Sequence, residues 1–304
     1  MRVFIAGATG AIGHPLVAQL LRADHVVTGL ARDEKSAKHL QDQGARAEIA
    51  DALDERAVHE AVARSAPDVV INQLTALPKR YTPETMQAAI EPDHRLRREG
   101  GANLQAAAAA AGAKRYILQS CAFWYEEGPG LADESTSLAV NATPYIAQGS
   151  RFYRDLEQSA NALRGPEVVL LRYGFLYGPM TWYARDGDAA EQVRRQQSPI
   201  VGNGQGVWSW VHGEDAAAAA VLALDRGGAG AYNISDDDPS PVRVWLPAFA
   251  NWLGAPSPPH ITEQQAGDAD MIYYGTKSRG ASNAKAKREL GFRPRRLEWL
   301  NPPL

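Results

Sequence analysis

Three glycines at the spacing Gly7-x-x-Gly10-x-x-Gly13 carry the most specific chemistry in this chain of 304 residues. They follow the apolar run Val3-Phe4-Ile5-Ala6 and precede Pro15-Leu16-Val17-Ala18-Gln19-Leu20-Leu21, whose apolar residues recur at helical spacing. Strand, glycine turn and helix in that order suit the pyrophosphate of a dinucleotide. Gly7 permits the tight turn, Gly10 lets the backbone approach the phosphates, and Gly13 lets the helix pack on the strand. The intervening Thr9, Ala11 and Ile12 complete the turn, whose amides face the anion at the helix N-terminus. The second strand, Val26-Val27-Thr28-Gly29-Leu30, ends without the carboxylate that would hold the ribose hydroxyls of NAD. Arg32 follows instead, and a guanidinium there favours the 2′-phosphate, so NADP is expected over NAD. Asp33 reads as the N-cap of the next helix.

The elements that position this turn alternate along the first half. Strands are expected at 2–6, 25–30, 46–49, 68–72, 115–119 and 167–172. Helices are expected at 14–22, 34–43, 54–64, 84–111 and 144–164. That alternation predicts an α/β, Rossmann-type, doubly wound parallel sheet covered on both faces. Alanine-rich tracts at 106–111 and 216–220 read as buried or interfacial helices. After about residue 174, glycine, proline and tryptophan become frequent, as in Gly202-Asn203-Gly204-Gln205-Gly206 and Pro256-Ser257-Pro258-Pro259. This texture predicts a smaller, mixed, substrate-binding part. The expected boundaries are 1–173 for the dinucleotide-binding domain, which also receives about 207–233, with 174–206 and 234–304 on the substrate side. Residues 207–212 read as a strand returning to the main body. The tail Pro302-Pro303-Leu304 reads as unstructured.

Composition narrows the function classes. Apolar residues make up 45% and charged residues 22%, as in an ordinary globular protein. The net charge of −3 argues against a nucleic-acid partner. The single cysteine, Cys121, excludes an internal disulfide and suits a reducing compartment. No signal peptide and no membrane-length apolar run is visible, so a cytoplasmic location is expected. No metal-ligand cluster stands out. The expected partner is a small molecule.

The chain resembles the extended short-chain dehydrogenase/reductases over nearly its whole length. The pieces that carry the resemblance are the glycine turn, Asp51-Ala52-Leu53-Asp54, Gln119-Ser120-Cys121-Ala122, the run Leu171 to Pro179, Trp210-Val211-His212-Gly213-Glu214-Asp215, and Ser282-Asn283-Ala284-Lys285-Ala286. The resemblance implies that Asp51 and Ala52 hold the adenine and that Leu74 and Thr75 line the path to the nicotinamide. It implies that Gly174 and Phe175 close over the nicotinamide from the other side. His212 is expected to order a strand end, and Asp215 to cap the alanine helix 216–224. Helices 84–111 and 144–164 are the usual dimer faces in such proteins, which implies a homodimer.

The family's chemistry uses a Ser or Thr after the fifth strand and a Tyr-x-x-x-Lys pair on one helix face. This chain departs from it. Register set from Glu157 puts Gly149 at the Tyr position and Tyr153 at the Lys position. Cys121 falls at the Ser/Thr position, with Ser120 beside it. A literal Tyr-x-x-x-Lys occurs only at Tyr273 to Lys277, after the sheet is complete, and reads as coincidence or as a substrate contact. Side chains lean toward the helix N-terminus, so the Tyr153 phenol is expected in the volume left free above Gly149. The segment Arg151 to Glu157 also resembles the progesterone 5-beta-reductase and iridoid synthase group. There a Phe-Tyr pair precedes the same acidic residue, and the Tyr serves the oxyanion in reduction of a conjugated C=C bond. The lysine of that group maps to Phe123, so the match is partial.

The candidate catalytic residues are therefore Tyr153, Ser120 and Cys121, with Tyr153 also placed against the cofactor. Phe123, Trp124, Tyr125 and Trp182 are expected to line an apolar substrate pocket, with Phe175, Tyr183 and Trp208 nearby. The reading is an NADP(H)-dependent reductase of a C=C or C=O in an apolar small molecule. A non-redox isomerase, cyclase or epimerase with bound nucleotide, and a non-enzymatic NADP sensor, are the alternatives.

Overall fold

A computed structural model describes residues 1–301; the expectation for Pro302–Leu304 lies outside the described residues. The chain runs β1 (Arg2–Ala6), α1 (Gly13–Arg22), β2 (Val26–Ala31), α2 (Glu34–Asp42), β3 (Arg46–Ile49), α3 (Glu55–Ser65), β4 (Val69–Asn72) and α4 (Pro83–Arg95). It continues through a π turn (Leu96–Gly100), α5 (Gly101–Ala110), β5 (Arg115–Cys121), α6 (Pro144–Asn161) and β6 (Glu167–Tyr173). Then come β7 (Phe175–Tyr177), α7 (Asp188–Arg194), β8 (Ile200–Val201), β9 (Val207–Trp208), β10 (Trp210–His212), α8 (Gly213–Leu222) and β11 (Gly230–Ile234).

Seven strands form one parallel sheet in the order β11-β6-β5-β4-β1-β2-β3. The order reverses at β1, and there the glycine turn opens toward the strand C-termini, the place where such sheets bind nucleotides. Strand alternation assigns the two faces. Ile5, Ile71 and Ile117 pack on the α1 and α8 side, whereas Phe4, Val70, Tyr116 and Leu118 face α3, α5 and α6. Both alanine tracts supply buried positions, among them Ala107 and Ala108 in α5 and Ala216, Ala217, Ala219 and Ala220 in α8.

Three expectations change. The long helix 84–111 widens into the π turn at Leu96–Gly100, which shifts the face it presents and carries Arg97 into the interior. Residues 207–212 do not join the main sheet. β10 pairs with β7 and β9 pairs with Ser240–Pro241, while β11 completes the sheet beside β6. β11 follows a run of glycines and has too few residues for a periodic signal, so only its pairing with β6 makes it a strand. Finally, α8 starts at Gly213, and His212 caps it by accepting the Glu214 amide at Nδ1, 3.2 Å away. Asp215 instead binds Arg295, accepting its backbone amide at 2.8 Å.

Candidate active site

The glycine turn has the shape its spacing requires. Gly7 sits at φ +83°, and a methyl on it would stand 2.3 Å from the Gln73 carbonyl oxygen. A methyl on Gly13 would stand 2.1 Å from the Gly7 carbonyl, so α1 closes on the turn only with glycine there. Gly10 differs. A methyl there would meet nothing nearer than its own turn, at 3.4 Å, and the residue is exposed. The fold does not need Gly10; the open space before it suits a close-approaching pyrophosphate. The first turn of α1 carries no acidic residue and no side-chain cap, which leaves its amides for an anion. These residues fit a dinucleotide.

Around that turn, Ala6 pairs with Leu30, so Arg32 leaves β2 beside the glycines. It is exposed and makes no salt bridge or side-chain hydrogen bond among the described residues. Asp33 is the N-cap of α2, accepting the Ser36 amide at 2.7 Å. Asp51 is exposed and turns one oxygen to the Leu53 amide, while Ala52 is buried against α5. Leu74 also turns inward, so it packs beside Gly100 rather than lining an open path. Thr75 is exposed, its hydroxyl accepting the Leu77 amide. Gly174 is buried against the Ser209 carbonyl. The Phe175 ring is stacked between Phe123 and Trp208, at centroid distances of 4.6 and 4.0 Å.

The volume above Gly149 is not Tyr153's. The Trp124 indole fills it, and a methyl on Gly149 would stand 2.2 Å from that ring. Trp124 is held by its indole N–H, which donates to the Tyr274 hydroxyl at 2.8 Å. Tyr274 thus brings the literal Tyr-x-x-x-Lys segment to the site, while its Lys277 lies outside, paired with Glu127. Tyr145 and Tyr153, one helical turn to either side of Gly149, flank the indole at centroid distances of 5.9 and 5.8 Å.

The Tyr153 hydroxyl has no hydrogen-bond partner among the described residues. Burial pushes its phenol well above the ordinary range, opposed chiefly by Arg97. It is therefore a neutral donor at physiological pH. Arg97 is the residue that sequence reasoning missed. Its side chain is 3% exposed, and its guanidinium lies 5.5 Å from the Tyr153 ring centroid. Its Nε donates to Asp93 at 2.7 Å, and Asp93 also accepts the Ala76 amide at 2.6 Å. In the run Arg95-Leu96-Arg97-Arg98 it looks like a solvated charge; the Asp93–Arg97 spacing of four was the one available signal.

Ser120 is committed elsewhere. It shares a sheet face with Tyr116 and Leu118, so its hydroxyl meets α6 and donates to Glu157 at 2.6 Å. Glu157 also takes two hydrogen bonds from Arg172, at 2.6 and 2.8 Å. Arg172 reaches the Tyr125 hydroxyl, which in turn donates to Asn233. This buried network locks α6 to β5, β6 and β11 and so sets the height of Tyr153. Tyr125, fully buried, belongs to it and not to a pocket wall. Cys121 is 1% exposed, and burial and then the Glu157 carboxylate push its thiol far up, which leaves it unreactive. Phe123 remains partly exposed. Trp182 stacks on Tyr81 at 4.7 Å and donates its indole N–H to the Pro78 carbonyl, tying two loops together.

A parallel sheet with this turn at its switch point defines a Rossmann-type nucleotide-binding protein. Residues 3–235 match the NAD dependent epimerase/dehydratase family, and the chain belongs to that family and is an enzyme. It is 42% identical over 306 residues to a 3-diazoavenalumate denitrifying reductase from a Streptomyces species, covering 98% of each chain. Among solved structures it resembles UDP-glucose 4-epimerase of Thermus thermophilus in complex with NAD, with TM-score 0.69 and 24% identity over 97% of this chain and 94% of that one. It also resembles DesIV, a dTDP-glucose 4,6-dehydratase of Streptomyces venezuelae with NAD bound, with TM-score 0.74 and 20% identity over 98% and 93%. No helix among the described residues is long and apolar enough to cross a membrane.

Proposed function

We propose that this enzyme is an NADP(H)-dependent reductase of a small molecule with a flat, aromatic body. The observation that carries the reading is the neutral, unpartnered hydroxyl of Tyr153 beside a buried cation, without the lysine that would make it a base. Alcohol oxidation wants a base, whereas reduction needs a hydrogen-bond donor at the oxygen that gains charge. Bound nicotinamide supplies the hydride. Tyr153 donates to the substrate oxygen conjugated to the carbon that receives it. Trp124, Tyr145 and Phe123 offer aromatic surface to a planar molecule.

The 42% identical relative suggests the first reaction to test, reductive loss of a diazo group. The C–N bond breaks with its electron pair going to N2, and a C–H bond forms with the pair that hydride brings. NADPH is oxidised and the diazo carbon is reduced. Where the substrate enters as the neutral diazo-ketone form, its oxygen becomes a phenolate that the Tyr153 hydrogen bond stabilises and that takes its proton from water on release. A conjugated C=C or a C=O would use the same hydroxyl.

For the cofactor, the free Arg32 beside the glycine turn supports NADP, although the structural neighbours were solved with NAD. The family also contains epimerases, so a non-redox reaction is the second reading. One experiment separates them. Purified enzyme is given NADPH or NADH with a diazo-phenol, an enone or an aromatic aldehyde. Nicotinamide absorbance, product and N2 are followed together. Stoichiometric NADPH loss with reduced product is expected. Product without NADPH loss assigns the second reading, and no product from any of these substrates defeats the reductase.

A further inference from the structure

Arg97 spends only part of its hydrogen-bonding capacity. Its Nε binds Asp93, but neither terminal nitrogen has a hydrogen-bond partner among the described residues, and the side chain is 3% exposed. Asp93 makes no further hydrogen bond to it, and its other oxygen accepts the Ala76 amide. N–H donors on a side chain this buried, with no protein partner, are available to an anionic ligand. A merely structural ion pair would close on itself. The idle end shares its surroundings with Tyr153 and Cys121, the side of the molecule where Trp124 and Tyr145 also converge.

We propose that Arg97 anchors an anionic oxygen group of the substrate, a carboxylate or a phenolate, beside Tyr153. The inference rests on the reductase reading for the site's occupant, and it names the class: a planar aromatic anion. The guanidinium fork matches such oxygens in plane, which an ammonium would not. Aromatic walls then hold the ring, and the charge fixes which end faces Tyr153. Charge at this position also explains why the π turn rotates an arginine inward and why the Asp93–Ala76 contact braces it.

The test measures binding by calorimetry to enzyme saturated with NADP+. The probes are 4-hydroxycinnamate, cinnamate and methyl 4-hydroxycinnamate, which carry both groups, the carboxylate alone and the phenol alone. Arg97→Met should weaken 4-hydroxycinnamate by about 30-fold or more, and Arg97→Lys should fall between. Loss confined to cinnamate and the parent identifies the carboxylate as the anchored group; loss confined to the ester and the parent identifies the phenolate. If Arg97→Met does not fold, the double variant Asp93→Asn/Arg97→Met removes both charges while leaving an acceptor for the Ala76 amide. Unchanged affinities for all three probes in a folded variant overturn the proposal, as does a wild-type enzyme that binds none of them. If binding depends on Arg97 but no substrate consumes NADPH, the reductase reading falls and the anchor stands.

Discussion

The Trp124 indole occupies the notch that Gly149 leaves in α6, so close that a methyl on Gly149 would stand 2.2 Å from the ring. The notch is thus filled by a tryptophan from another loop, and Tyr153 lies beside it. Gly149→Ala must therefore displace the indole. We expect a loss of about 1–3 kcal/mol from overpacking, with altered tryptophan fluorescence. Thermal melts and emission spectra check it; an unchanged melting temperature would show the ring free to yield.

Tyr153→Phe removes the hydroxyl and leaves the ring packing. Turnover should fall about 100-fold, because one preorganised donor is lost. NADP affinity should stay within a few-fold. Steady-state rates and cofactor titrations decide, and an unaltered rate would remove Tyr153 from the chemistry.

Ser120→Ala tests the opposite expectation. Its hydroxyl already serves Glu157. Stability should drop by about 1–3 kcal/mol, since a charge-assisted buried bond is lost, while kcat changes only a few-fold. A rate loss comparable to that of Tyr153→Phe would return Ser120 to the catalytic set.

Arg32→Ala should weaken NADP about 10-fold or more, as expected for loss of a charged contact to phosphate. NAD affinity should barely move. Parallel titrations with both nucleotides measure it, and equal effects would remove the 2′-phosphate role.

Asp236 gives a pH prediction. It is 1% exposed, one carboxylate oxygen has no partner, and burial pushes its pKa up to about 8, with Asp238 and Asp237 adding to the rise. Between the unfolded value and that folded value the native state binds the extra proton. This group's contribution to stability therefore falls as pH rises from about 4 toward 8. Asp236→Asn, neutral throughout and still able to accept the Asp238 amide, should flatten that slope and melt higher than wild type at pH 8. Melts across pH 5–8 test it; parallel curves would refute it.

Local chemistry was legible in the chain itself. The glycine turn, the Asp33 cap and the first six strands of the sheet follow from spacing, propensity and apolar runs, which act over a few residues. The tertiary structure decided what depends on distant partners. β11 became a strand only by pairing with β6. Ser120 was claimed by Glu157, thirty-seven residues on. Trp124 took the Gly149 notch because Tyr274 holds its indole. Arg97, in a run that reads as surface charge, was turned inward by one π turn and fixed by Asp93. Sequence patterns report which surfaces a segment can bury; which side chain meets which, and which donors stay unused, is settled only when the layers close.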